Sequence, residues 1–140
     1  MIQNHLTSQP LSKRLKELGV PQKSCFAWKP FYSITNDTSI DWQGTFTIKD
    51  NQNTLSNGQD VFKPWYPKMR ELEELNTSAF LSSELGEIMK KTSLEIHRFE
   101  LADGTVVYRA GSNSETEAPT MAESMGLMLE YLILNGLIKI

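Results

Sequence analysis

Apolar and polar positions along this chain follow two periods, and the switch between them marks its elements. Leu11, Leu15 and Leu18 recur at helical spacing, with Lys13, Arg14, Lys16 and Glu17 between them, which predicts a short amphipathic helix over 9–18. Ser8 or Thr7 can cap it, Pro10 fits the first turn, Gly19 follows the last periodic residue and Pro21 blocks continuation. Cys25–Ile34 is aromatic and apolar and reads as a strand, with Pro30 marking an edge or a break. Thr45–Ile48 alternates as a second strand, and the polar stretch Thr35–Asp41 between them reads as a turn.

The middle of the chain is less patterned. Asp50–Asp60 is almost without apolar side chains and contains the turn dipeptide Asn57-Gly58, so it is expected to be the most mobile segment. Prolines bracket Pro64-Trp65-Tyr66-Pro67, which predicts extended backbone, and Met69, Leu72 and Leu75 follow as a short helix. A further helix is predicted over Ala79–Lys91, with Leu81, Leu85, Ile88 and Met89 on its apolar face. Ser78 serves as its cap, with Ser82 as an alternative start. Lys90 and Lys91 complement the dipole at its far end.

Leu94–Ala110 carries the clearest β pattern. Asp103-Gly104 fits a two-residue type I′ turn. Counting outward pairs Leu101 with Val106, Phe99 with Tyr108 and His97 with Ala110, a face expected to look inward. The other face then sets Glu100 against Val107 and Arg98 against Arg109, a like-charge contact that needs a nearby acid. Ile96 and Leu94 fall on that second face, which calls for a bulge or twist near His97. Beyond the polar loop Gly111–Glu115, a last helix is predicted over 116–135, capped by Thr116 with Glu117 and Pro119 in its first turn. Its stripe is Ala118, Ala122, Met125, Leu129 and Leu132, widened by Met121 and Met128, and Asn135-Gly136 stops it ahead of the apolar tail Leu137, Ile138, Lys139, Ile140.

With 140 residues the chain has the length of one ordinary domain, 1–140, able to bury roughly 68–70% of its unfolded surface without metal or disulfide staples. A hydrophobic content of 39% with 22% charged residues fits a globular chain rather than a disordered one. Basic residues number 14 against 17 acidic, a net charge of −3, so the broad basic footprint of a nucleic-acid binder is missing. The one cysteine, Cys25, excludes an internal disulfide and suits a reducing compartment. Polar Met1–Ser8 does not have the pattern of a signal peptide, and the most hydrophobic window, Met125–Ile133, is too short to span a bilayer and is interrupted by Glu130 and Tyr131. A cytoplasmic protein without a membrane segment is expected.

Chemistry-bearing residues are few. His97, Glu95 and Arg109 form the best available catalytic set, although a histidine on a packed hairpin is explained structurally. Asp103 is accounted for by its turn, Cys25 by a small core position, and Ser112-Asn113-Ser114 lacks the glycine frame of a phosphate loop. A zinc site would have to combine His5, His97 and Cys25 with carboxylates, so no metal and no cofactor is expected. Lys13, Arg14 and Lys16 could touch a phosphate backbone, but a solvated helix face accounts for them. The aromatic residues Trp28, Phe31, Tyr32, Trp42, Trp65 and Tyr66 crowd one region. Core packing explains most of them, and exposure of several together would make Trp28, Tyr32, Trp42, Trp65 and Tyr66 a binding surface.

Three segments resemble a known group when taken together. They are Leu-Lys-Glu-Leu-Gly-Val-Pro-Gln at 15–22 with Phe26-Ala27-Trp28, Ser78-Ala79-Phe80 with Glu-Leu-Gly-Glu-Ile-Met at 84–89, and Thr116-Glu117-Ala118 leading to Tyr-Leu-Ile-Leu-Asn-Gly-Leu-Ile at 131–138. Their order and spacing are similar to small hypothetical proteins encoded in phage and prophage regions of bacterial genomes. The resemblance leaves 35–66 unmatched, and Pro119 and Gly126 depart from it by interrupting the last helix. It implies a phage or mobile-element context and carries over no functional residue.

The expected architecture is α+β: a mostly antiparallel sheet of about four strands, two helices on one face, and a short N-terminal helix over an edge or end. The expected role is a non-enzymatic binding or accessory protein that engages a host or phage protein, through the aromatic region or an exposed helix face, with a homodimer as a further possibility. The alternatives are an enzyme of unrecognised class near His97 and a nucleic-acid accessory factor.

Overall fold

A computed structural model describes residues 2–34, 40–50, 76–90, 92 and 95–140. The expected loop over 51–60, the Pro64–Pro67 segment and the helix around Met69 lie outside the described residues, as does the turn over 35–39. Within them the chain is α+β. Its elements run α1 (Gln9–Glu17), β1 (Phe26–Ile34), β2 (Ile40–Asp50), β3 (Thr77–Ala79), α2 (Ser82–Ile88), β4 (Ile96–Glu100), β5 (Val106–Ala110) and α3 (Met121–Leu134). Among the described residues the strands do not form one sheet. They divide into a three-stranded antiparallel sheet ordered β2-β1-β3 and a separate β4-β5 ribbon.

Helix α1 forms where the pattern placed it. Ser8 caps it by accepting from the Leu11 amide, with proline in the first turn. At its end Gly19 N–H donates to Lys16 O at 3.0 Å and Val20 N–H to Leu15 O at 3.1 Å, the paired bonds of a Schellman stop. The positive φ of Gly19, 91°, is what glycine permits there at little steric cost. Leu11 and Leu15 are buried against the core, and the helix packs beside β3, an edge strand of the larger sheet.

In that sheet β1 pairs with β2 along most of its length, whereas β3 flanks only Phe26, Ala27 and Trp28. Pro30 thus lies where β1 has a single neighbour, and the register shifts between Pro30 and Tyr32. A residue without an amide donor is tolerated at such a place. The second strand is longer than expected, since Ile40 and Asp41, assigned to a turn on polarity alone, already pair with Ile34 and Ser33.

Helix α2 is shorter than the predicted Ala79–Lys91. Thr77–Ala79 is strand β3, so Ser78 is a buried strand residue and Leu81 takes the cap position. Glu84 in the first turn reaches back to accept from the Leu81 amide at 2.8 Å, one half of a capping box. Tertiary pairing of β3 with β1 outweighs the local helical preference of Ala79.

The hairpin differs from expectation by one residue of register. Its loop has three residues, Ala102–Gly104: Gly104 N–H donates to Leu101 O at 2.9 Å, Leu101 N–H to Thr105 O at 2.8 Å, and Gly104 adopts a φ of 86°. That is a turn followed by a left-handed glycine rather than the two-residue type I′ turn. Ile96 now pairs with Ala110, Arg98 with Tyr108, Phe99 with Val107 and His97 with Arg109. A one-residue slip exchanges the two faces of a strand. Ile96 therefore joins the core without a bulge near His97, and Phe99 and Leu101, expected inward, are exposed. Arg98 and Arg109 no longer face each other.

Helix α3 begins later than Thr116. Thr120 is its cap, accepting from Glu123 N–H at 3.2 Å, and Pro119 precedes the helix. Thr116 is fully buried in a 3-10 turn, where its hydroxyl accepts from Ala110 N–H at 2.8 Å. Ala118 bridges to Tyr108 as an extended residue instead of starting the helical stripe. Gly126 explains how α1 approaches α3: a methyl group there would lie 2.7 Å from Leu11 Cδ2 and 2.9 Å from Thr7 Cγ2. At the end, Gly136 N–H donates to Ile133 O and Leu137 N–H to Leu132 O, a second Schellman stop with Gly136 at a φ of 66°.

The core collects Leu11, Leu15 and Val20 from the α1 region, Phe80, Leu85 and Met89 from around α2, and Met125, Leu129 and Leu132 from α3. Each such side chain contributes about 1.5–3 kcal/mol by leaving water.

Candidate functional site

Three clusters of polar side chains among the described residues bear on a site, and two of them serve the architecture. In the first, Glu123 from the first turn of α3 reaches the cap of α1. Its two oxygens accept from Ser8 N–H and Ser8 Oγ, both at 2.7 Å. A carboxylate at the start of two helices is favoured by both dipoles. Beside it Thr7 ties three segments together: its hydroxyl lies 2.7 Å from Ser12 Oγ and accepts from Phe80 N–H at 3.0 Å, while its carbonyl accepts from the Trp28 indole at 2.9 Å.

The second is built on Glu84. Beyond the Leu81 amide it accepts from Ser24 Oγ at 2.7 Å and Cys25 N–H at 3.0 Å, fastening the entry of β1 to the start of α2. Neither carboxylate reading was available from composition. The signal lay in spacing: Leu81-Ser-Ser-Glu84 and Thr120-Met-Ala-Glu123 both put an acid three residues after a helix cap.

The third is the hairpin that carries the expected catalytic set. His97 Nε2 lies 3.5 Å from Glu95 Oε2, with both side chains exposed. Arg109 is cross-strand from His97 and pairs with Glu117 at 2.6 Å, while its guanidinium carbon sits 5.0 Å from the centre of the Phe99 ring. His97 also lies against Phe99, with ring centroids 6.1 Å apart. The hairpin brings His97 and Glu95 together and commits Arg109 elsewhere. A carboxylate in water is a weak partner for a general base, because the gain from such a pair grows only as solvent is excluded.

The basic cluster of α1 is also divided. Arg14 Nε donates to Glu130 on α3 at 2.7 Å, a bond that raises the guanidinium pKa further above its ordinary value. Lys16 Nζ donates to Asn76 O at 2.8 Å, and Lys13 is exposed. Two of the three cations thus join α1 to its neighbours. Among the described residues no group of three or more His, Cys, Asp or Glu side chains is placed to hold a metal ion. No helix among them is long and apolar enough to cross a membrane.

Of the aromatic residues, Trp28 is half-buried and held by its indole hydrogen bond. Tyr32 and Trp42 occupy directly paired positions of β1 and β2. Trp65 and Tyr66 lie outside the described residues. Among the described residues, exposed large apolar side chains include Leu134 (66%), Leu137 (65%) and Ile140 (49%) at and just beyond the end of α3, and Phe99 (40%) and Leu101 (43%) on the hairpin.

Comparison with family models, curated proteins and solved structures finds no match for this chain. The class it can be given is thus structural, an α+β fold of a three-stranded sheet, a β-ribbon and three described helices. The resemblance to phage-encoded proteins gains no support from these comparisons.

Proposed function

We propose that this is a non-enzymatic binding protein that works through protein–protein contacts at the exposed end of α3. The observation that carries the reading is the run Leu134, Leu137 and Ile140, each about half exposed or more. Single exposed leucines are ordinary on protein surfaces. Three large aliphatic side chains within one short stretch are the kind of apolar patch that marks an interaction site.

The competing readings have less behind them. For catalysis, His97 and Glu95 would have to act in open solvent while Arg109 is occupied by Glu117. For nucleic acid, Arg14 and Lys16 would have to leave Glu130 and Asn76. The resemblance supplies a context, a host or phage protein as the partner. A cytoplasmic setting fits the single cysteine.

A photo-crosslinking amino acid at position 137 tests the proposal in host cells. A discrete adduct to one protein is expected, absent when the same group stands at exposed Lys13 and lost when Leu134 is replaced by Ser. Equal labelling from both positions, or none from position 137, would overturn it.

A further inference from the structure

The β4-β5 ribbon has two unlike edges. On the β5 side Tyr108 exchanges both backbone bonds with Ala118, at 2.7 and 2.9 Å, so that edge is occupied. On the β4 side no described residue pairs with the strand. An open edge invites another strand, and proteins often guard it with charge. The charges on β4 are arranged in an unusual way for a guard. Arg98 and Glu100 are exposed and sit two residues apart, on one face, without an ion pair among the described residues.

The backbone direction of each residue follows from the hairpin bonds. Glu95 O accepts from Gly111 N–H at 2.6 Å, and Leu101 N–H donates to Thr105 O at 2.8 Å, so the groups of Glu95 and Leu101 face β5. Alternation along an antiparallel strand then turns the N–H and C=O of Ile96, Arg98 and Glu100 outward. Those are the residues an added strand would bond.

We propose that the partner of this edge is a second copy of the chain, with β4 pairing antiparallel to itself about Phe99. In that register Arg98 of each copy stands opposite Glu100 of the other, and each such pair exchanges two backbone hydrogen bonds. Phe99 meets its own counterpart at a non-hydrogen-bonded position, where opposed Cα atoms approach to about 4.5 Å and side chains touch. Neighbouring registers are worse. Pairing about Arg98 opposes two guanidinium groups, and pairing about His97 sets Ile96 against Arg98. The alternating charge that repels a chance strand is thus complementary to its own two-fold image. An isologous contact of this kind closes as a dimer and leaves β5 unused.

The proposal goes beyond the reading of the α3 end and uses different residues, so the two can fail separately. Sedimentation equilibrium of the full chain over a range of concentrations is the test. Wild type should show reversible monomer–dimer exchange. Arg98→Glu and Glu100→Arg each create like-charge pairs on both sides of the axis and should each raise the dimer Kd about tenfold or more. An equimolar mixture of the two single variants should recover dimer, as should the double swap, because both arrangements restore opposite charges. Far-UV circular dichroism matching wild type confirms that the variants are folded. A chain that stays monomeric at its solubility limit overturns the proposal. So does a dimer indifferent to both single changes, or a mixture that fails to recover.

Discussion

Helices α1 and α3 end on the same hydrogen-bond pattern and then meet opposite surroundings. After α1, Gly19 turns the chain and Val20 folds back against Leu15, leaving Val20 2% exposed. After α3, Gly136 makes the same turn and Leu137 takes the place of Val20, yet Leu137 is 65% exposed. The motif usually carries an apolar contact between these two positions. The backbone stop is therefore a local property, whereas burial of the residue beyond it depends on what else packs there. One helix end is finished by its own fold, and the other leaves the equivalent residue exposed.

If that is right, the residues supporting the two stops from within should be equally important. Leu15 and Leu132 accept the long bond of each motif and both belong to the core. Leu15→Ala and Leu132→Ala should each cost about 2–5 kcal/mol in urea unfolding. A loss below about 1 kcal/mol at Leu132 alone would mean that the end of α3 is not anchored as α1 is.

The residues beyond the stops should then separate. Val20→Ala removes two buried methylene equivalents and should destabilise by about 1.5–2.5 kcal/mol. Leu137→Ala should stay within about 0.5 kcal/mol, as for other exposed positions. Equal losses at the two sites would remove the contrast, and with it the reason to seek a partner at Leu137.

The turns themselves bring the two ends back together. Gly19 and Gly136 both have positive φ and, their chain neighbours aside, no heavy atom within 4 Å of where a methyl group would stand, so only backbone strain opposes a side chain. Gly19→Ala and Gly136→Ala should each cost about 1–2 kcal/mol, and by similar amounts. A large difference between them would show that the stops are set by packing after all.

Both stops were legible in the sequence because glycine after an amphipathic run is a local signal. So were the existence of α1, α3 and the ribbon, and the α+β class. What escaped was tertiary or degenerate. Asp103-Gly104 is compatible with a two- or a three-residue loop, and the choice exchanged Phe99 and Leu101 with Ile96 between surface and core. Thr116 and Thr120 are both plausible caps. The acid three residues after Thr120 was there to be read, but only the fold shows that the Thr116 hydroxyl is consumed by Ala110. At the candidate sites, the nearness of His97 to Glu95 was foreseeable from their spacing. The pairing of Arg109 with Glu117 depends on where the chain goes after β5. The apolar tail was visible as composition, but its exposure is a matter of what does not cover it.

The hairpin loop supplies the smallest expected effect and a purely local counterpart to the helix stops. Thr105 bonds to Asp103, whose Oδ1 accepts from the Thr105 amide at 2.9 Å. These bonds, the backbone one first, hold the carboxyl below the ordinary value of 3.8. A depressed carboxyl pKa contributes stability that is complete above the unfolded value and is lost as pH falls through the folded one. The Thr105 amide resonance and the exchange protection of β4 and β5 should therefore be constant from neutrality down to about pH 4, then titrate together below it. Asp103→Asn keeps an acceptor and removes the charge, so its hairpin should show no such step. A wild-type transition above pH 4, or one that persists in the Asn variant, would mean that another group governs the loop. The register of β4, and the edge it presents, would then depend on more than this turn.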